Sequence, residues 1–151
     1  MKKILLCVIL VVTGMFLTTA SVMATTDDVS ENATEIVQSG SCGDSASWTL
    51  DAEGKLVIQG TGSIRYEFGA DSNLASKIKS VVIENGITEI GCRAFADCRG
   101  ITGIVLPNGV TSIGESAFYR CKKLTDVTLP ESLTSIGIWA FFGCETLANV
   151  Y

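Results

Sequence analysis

"ITGIVLPNGVTSIGESAFYRCKK", residues 101–123, decides the fold, because it aligns without a gap on the residues to either side of it. "IKSVVIENGITEIGCRAFADCRG" (78–100) precedes it, "LTDVTLPESLTSIGIWAFFGCET" (124–146) follows, and "LANVY" (147–151) opens a further copy. The copies share one 23-residue period, and Thr, Ile, Gly, Ala, Phe and Cys recur at six identical positions in all three. Self-similarity at a fixed period of this size marks a solenoid, in which a coil buries its apolar face only against its neighbours.

Each copy places apolar side chains at eight positions, in the third Leu124, Val127, Leu129, Leu133, Ile136, Ala140, Phe141 and Cys144. The opening Leu-x-x-Val-x-Leu reads as a short parallel strand whose alternate residues point inward. Pro107 and Pro130 end it, since proline has no amide to donate to a ladder. Gly91, Gly114 and Gly137 mark a turn that either excludes a side chain or needs a positive φ. "AFADC", "AFYRC" and "AFFGC" then return the chain along the outer side. Cys98, Cys121 and Cys144 share one slot, as do Phe95, Phe118 and Phe141, so both sets are expected as buried columns between coils ~4.8 Å apart. A buried thiol acts as a small apolar group, which makes these columns structural rather than catalytic, metal-binding or ligand-caging.

Working back from the repeats, "ASWTLDAEGKLVIQGTG" (46–62) alternates apolar and polar residues on both sides of "DAEG", a β-hairpin signature. A solenoid needs an end cap, and residues 41–77 are read as that N-terminal β cap, with 63–77 a loop into the first repeat. Residues 25–40 are polar and acidic and read as a disordered spacer. Residues 1–24 begin with Lys2 and Lys3, run through an apolar "ILLCVILVVTGMFL" and end at small Ala24, the pattern of a secretory signal peptide. An uncleaved membrane anchor is the alternative, since residues 4–23 are nearly long enough to span a bilayer.

Residues 1–24 hold two of the eleven basic side chains and none of the sixteen acidic ones, so their removal takes the net charge from −5 to −7. That balance argues against nucleic acid as a partner, because phosphate binding needs clustered positive charge. The chain has no histidine, which removes Ser-His-Asp and Cys-His nucleophile pairs and every zinc site with imidazole ligands. No carboxylate pair or nucleophile–base pair sits on an insertion in the repeats, so no catalysis and no cofactor are expected. Outside the column, Cys92 breaks the pattern at a slot filled by Glu115 and Ile138 elsewhere, which places it near the surface. Cys42 is the other irregular thiol, and a Cys42–Cys92 bridge and two free thiols both remain open.

The "SCGDSASWTLDAEGKLVIQGTG" leader and the three copies of L-x-x-V-x-L-P-x-x-L-T-x-I-G-x-x-A-F-x-x-C resemble the BspA-like leucine-rich repeat family over residues 41–151. The resemblance implies a curved leucine-rich repeat solenoid that is secreted or held on a cell surface for adhesion or protein recognition, with no reaction of its own. It also implies more repeats than the three copies at 78–100, 101–123 and 124–146, so the chain is expected to be a fragment. The third coil is then uncapped and open to self-association.

The candidate binding positions follow from the repeat. Non-core strand residues of a solenoid line its concave face, here Lys79, Ser80, Val82, Thr102, Gly103, Val105, Thr125, Asp126 and Thr128, with Tyr151 starting another row. The partner would be a protein or a surface glycan, with no membrane contact once the signal is cleaved. Arg93, Arg99, Arg120, Lys122 and Lys123 form a second patch on the outer side, suited to an anionic polymer or to plain solvation, with Asp97 and Glu145 interrupting it. The alternative to a binding module is an N-terminal spacer or anchor for domains further along a longer surface protein.

Overall fold

The structure, a computed structural model, describes residues 35–151. The expected signal peptide over 1–24 and the expected spacer up to residue 34 lie outside the described residues.

Lys55–Ile64 (β3) organises the fold, because one strand serves three neighbours. Its outer edge pairs antiparallel with Ser45–Asp51 (β2), placing Trp48 opposite Ile58 and Leu50 opposite Leu56. The tight turn between them is held by Asp51, whose Oδ1 accepts from the Lys55 amide at 2.8 Å. The first half of β3 pairs parallel with Ser80–Ile83 (β4), Leu56 against Val81 and Ile58 against Ile83. Its second half pairs parallel with Ile87–Ile90 (β5), Ile64 against Ile90. Gly60 and Gly62, at φ 109° and 88°, sit between the two halves and let the strand bend from one row to the other.

Two rows of short parallel strands grow from this start at the repeat interval. In the first row β4 is followed by Gly103–Val105 (β6), Asp126–Thr128 (β8) and Asn149–Val150 (β10); β6, β8 and β10 form one sheet. In the second, β5 pairs with Ser112–Ile113 (β7) and β7 with Ser135–Ile136 (β9), aligning Ile90, Ile113 and Ile136. This second row lies where the repeat pattern predicts only a turn. The recurring threonines explain it, because Thr111 and Thr134 each donate both amide and hydroxyl to the threonine carbonyl one coil earlier.

The hydrophobic core is a set of columns. Phe68, Phe95, Phe118 and Phe141 stack with ring centroids 5.4, 5.4 and 5.2 Å apart and planes within 9° of parallel. Beside them Cys121 donates its thiol to the Phe95 carbonyl, and Cys144 to that of Phe118, both at 3.1 Å. The cysteine slot is therefore a weak hydrogen-bonding rung as well as a small apolar filler. Gly114 and Gly137 hold the coils close: a Cβ on Gly114 would lie 2.6 Å from the Cys92 amide nitrogen, and one on Gly137 2.5 Å from that of Glu115. Neither has a positive φ, so of the two readings of these glycines close backbone approach is the one the structure takes.

Two expectations are corrected at the N-terminal side. Residues 36–40 are not spacer: Ile36–Ser41 (β1) pairs antiparallel with β2, Ser39 opposite Thr49 and Gly40 opposite Trp48. Backbone pairing, which needs no apolar side chains, orders a stretch whose composition argues against order. Residues 63–77 are not a plain loop either. After Ile64 and Phe68 enter the core columns, Ser72–Lys77 (α1) forms, capped by Asp71, whose Oδ1 accepts from the Asn73 and Leu74 amides at 2.8 and 3.3 Å. Leu74 and Ala75 are buried from its inner face. The cap is thus itself an irregular first coil.

Candidate functional site

Alternation along the first-row strands sorts their residues. In β4, Val81 and Ile83 enter the core while Ser80 and Val82 face solvent, and β6 and β8 repeat the pattern with Ile104 and Val127 inside. Pairing then brings the outward residues into two files. One runs Lys55, Ser80, then Gly103, Asp126 and Asn149. The other runs Val57, Val82, then Val105 and Thr128. Tyr151 extends this second file, since its amide donates to the Val127 carbonyl at 2.9 Å and its carbonyl accepts from Leu129 at 2.8 Å.

The sequence-predicted positions Ser80, Val82, Gly103, Val105, Asp126, Thr128 and Tyr151 therefore share one sheet face. Lys79, Thr102 and Thr125 fall just before their strands, at its margin. Lys55, Val57 and Asn149 belong to the same face and were missed. Asn149 stands one full period after Asp126 and could have been found by counting on from it. Lys55 and Val57 carry no repeat signal, because β3 reads as half of a hairpin and its parallel pairing is invisible in the sequence.

The second file is open and largely apolar, with Thr128 its polar member. Val105 is 63% exposed on a strand whose other side is sealed by Ile104, whereas Tyr151, 71% exposed, follows Val150, which is 55% exposed itself. The first file is polar and ordered. Thr125 donates its hydroxyl to Asp126 at 2.6 Å and Asn149 its amide at 2.7 Å, and these two hydrogen bonds hold the Asp126 carboxyl below the usual carboxylate range. Such a surface can bury an apolar strip of a partner and orient it with fixed polar groups along one edge. It offers no nucleophile with a base. Among the described residues no group of three or more Cys, Asp and Glu is placed to hold a metal ion.

The outer-side bases are partly neutralised. Arg93 pairs with Glu67 at 3.5 Å, Arg99 with Asp97 at 3.0 Å and Lys122 with Glu145 at 2.8 Å. Among the described residues the thiols are free and mostly sealed: Cys42 and Cys98 are buried and raised to about 11 and about 12, while Cys92 is exposed. Burial is the leading cause of both shifts. Cys42 and Cys92 form no bridge.

Comparison with known proteins supports the same architecture. The model of the BspA type leucine rich repeat region matches residues 68–151, as six copies. A leucine-rich repeat protein from Eubacterium ventriosum is similar at 21% identity and a TM-score of 0.56, covering 76% of this chain and 40% of its own. A leucine rich cell surface protein from Faecalibacterium prausnitzii matches at 20% identity and a TM-score of 0.48, over 72% of this chain and 38% of its own. This chain therefore spans about two fifths of the length of these solved structures. No curated protein matches it.

Proposed function

The chain belongs to the BspA-type leucine-rich repeat family, and from that premise we propose that it is a non-catalytic recognition module, secreted or displayed at a cell surface, that adheres through the outward face of its first-row strands. The observation that carries this reading is the open file of Val82, Val105, Thr128 and Tyr151, in which three exposed large hydrophobic side chains and one threonine lie beside an ordered polar file. Exposed apolar residues gathered on one face are costly to leave in water and mark a contact surface. A protein partner fits this face better than a glycan, since it pairs an apolar strip with few hydrogen-bonding groups. The chain's acidity keeps it off nucleic acid. Export rests on Lys2, Lys3 and the apolar run that follows. Recovery of a secreted chain that starts at Thr25 tests it.

The adhesion reading is tested by exposing the protein and its Val82→Arg/Val105→Arg variant to purified extracellular and cell-surface proteins on a sensor surface. Both positions are solvent-facing, so the variant keeps its melting temperature. Binding by the protein that the variant loses supports the reading; undiminished binding by the variant, or none by either, overturns it. A spacer role within a longer surface protein is favoured by one observation, the two-fifths coverage of the matched structures. Adhesion by a longer chain that survives the double substitution selects that role. The apolar edge of the third coil supports self-association as a further property of the same module.

A further inference from the structure

Where α1 meets the outer turns of the first two repeats, an open depression of about 670 Å³ is lined by Ser72 and Ser76 on one side and by Arg99, Arg120 and Lys123 on the other. Gly69 and Gly100 also line it. A Cβ on Gly100 would lie 2.3 Å from the Ile78 carbonyl oxygen, and one on Gly69 1.5 Å from that of Ala96, so neither position admits a side chain. Asp97 is the acidic residue of the lining, and its Oδ1 is taken by Arg99 at 3.0 Å. Glu145, the other carboxylate interrupting this patch, is drawn off by Lys122 at 2.8 Å. Arg120 and Lys123 have no carboxylate partner among the described residues. The depression thus carries uncompensated positive charge on a chain that is negative overall.

Arg120 is also held in place. Its guanidinium centre lies 4.9 Å from the Tyr119 ring centroid, and its amide donates to the Phe142 carbonyl at 2.8 Å. Asp97, Arg120 and Gly143 occupy one slot in successive coils, and all three are left-handed, at φ 59°, 55° and 75°. Glycine is the unstrained occupant of that conformation, and the third coil has it. The two coils that border the depression keep charged residues there instead; left-handed non-glycine residues are a regular feature of these turns, with Arg93, Ser116 and Trp139 at φ 55°, 55° and 58° in another slot.

We propose that this depression binds a sulfate or carboxylate group of an anionic glycan. A planar guanidinium and an ammonium suit an oxyanion with two or more oxygens, and the open depression leaves room for the saccharide that carries it. Serine hydroxyls on the facing wall suit the hydroxyls of a saccharide. The chain's net negative charge repels an extended polyanion, so the attraction is short-range and falls steeply with salt. The site lies apart from the strand face and stands or falls independently of it.

The test is calorimetric titration of the protein with a heparin-derived tetrasaccharide, with sodium sulfate, and with a glutamate-rich peptide of equal charge. The expected result is one tetrasaccharide site at 50 mM salt, weakened at least tenfold at 200 mM, with sulfate competing at far higher concentration. Arg120→Gly/Lys123→Ala should lose at least tenfold in affinity while keeping its melting temperature, because glycine already fills that slot at Gly143. Arg65→Ala/Arg93→Ala, which removes the same charge from bases paired with Asp44 and Glu67, should bind as the protein does. Equal loss in both variants reduces the effect to net charge and overturns the proposal. So does the absence of tetrasaccharide binding at low salt, or a peptide that binds as tightly as the saccharide. Sulfate that binds as tightly as the tetrasaccharide overturns the glycan assignment in favour of a free anion.

Discussion

The first and third repeats carry the same pattern in different surroundings. In the first, Ile90, Phe95 and Cys98 are fully sealed, with the cap on one side and the second repeat on the other. In the third, the equivalent Ile136 is 50% exposed, and Phe141 and Cys144 are only partly buried. Burial in a solenoid therefore belongs to the stack, not to the residue, and the same side chain should count for different amounts in different coils. The outer turns differ in chemistry too. Residues 86–98 include Glu89, Arg93 and Asp97, whereas residues 132–144 carry no charge at all.

The largest effect should come from the spacing that stacking depends on. Gly114→Ala would put a Cβ 2.6 Å from the Cys92 amide nitrogen and 2.7 Å from the Gly91 carbonyl carbon, both backbone atoms that cannot swing aside. A loss of about 4 kcal/mol or more is expected, or failure to fold. Gly103→Ala, whose Cβ would find Asp126 at an ordinary 3.6 Å, should change stability by less than about 0.5 kcal/mol. Urea melts of the two variants check this, and equal losses would sink the close-approach account.

Phe118→Ala and Phe141→Ala sharpen the comparison itself. Phe118 is fully buried between two other rings, and its truncation should cost about 3–5 kcal/mol. Phe141 has a ring on one side and should cost less than half as much. Equal costs would mean that the third coil is covered in solution.

The thiol column makes the sealed region sensitive to alkali. Burial, with Asp97 nearby, raises Cys98 from 9.0 to about 12. Between those values the unfolded chain has lost a proton that the folded chain keeps, so stability falls as pH rises from about 9 towards 12. The slope approaches about 1.4 kcal/mol per pH unit for this thiol. Burial raises Cys121 in the same direction, and the half-buried Cys144 as well. Melting temperatures across pH 8–11 should therefore drop, and Cys98→Ala should flatten the drop; a profile unchanged by that substitution would argue against a sealed column.

What could be read from the sequence was whatever repeats. Phe95, Phe118 and Phe141 stand one period apart, and counting alone aligns them. Phe68 completes their stack but stands more than a period before Phe95, because α1 lengthens the connection, so the repeat hides it. Likewise the outward strand residues from Ser80 to Tyr151 were legible from alternation and spacing. Lys55 and Val57 were not, since a sequence does not show that one strand pairs antiparallel on one edge and parallel on the other. The thiol rungs to Phe95 and Phe118 were hidden for a different reason: a hydrogen bond from cysteine leaves no trace in composition.

The smallest expected change in stability tests the open edge. Ile138, Trp139 and Phe142 are 69%, 60% and 57% exposed, where the preceding coil has Glu115, Ser116 and Tyr119. The amides of Ser116, Phe118 and Arg120 donate across to the third coil, but those of Trp139, Phe141 and Gly143 have no partner among the described residues. Apolar side chains beside unpaired backbone donors form a template for further pairing. Ile138→Glu/Trp139→Ser gives this coil the residues of the one before it. The substitution removes exposed apolar surface and no core contact, so it should alter stability by less than about 0.5 kcal/mol. Light scattering behind gel filtration should show the protein associating as its concentration rises and the variant remaining a monomer. Association that survives the substitution would move the contact to the strand file of Val82 and Val105, where the adhesion variant already tests it.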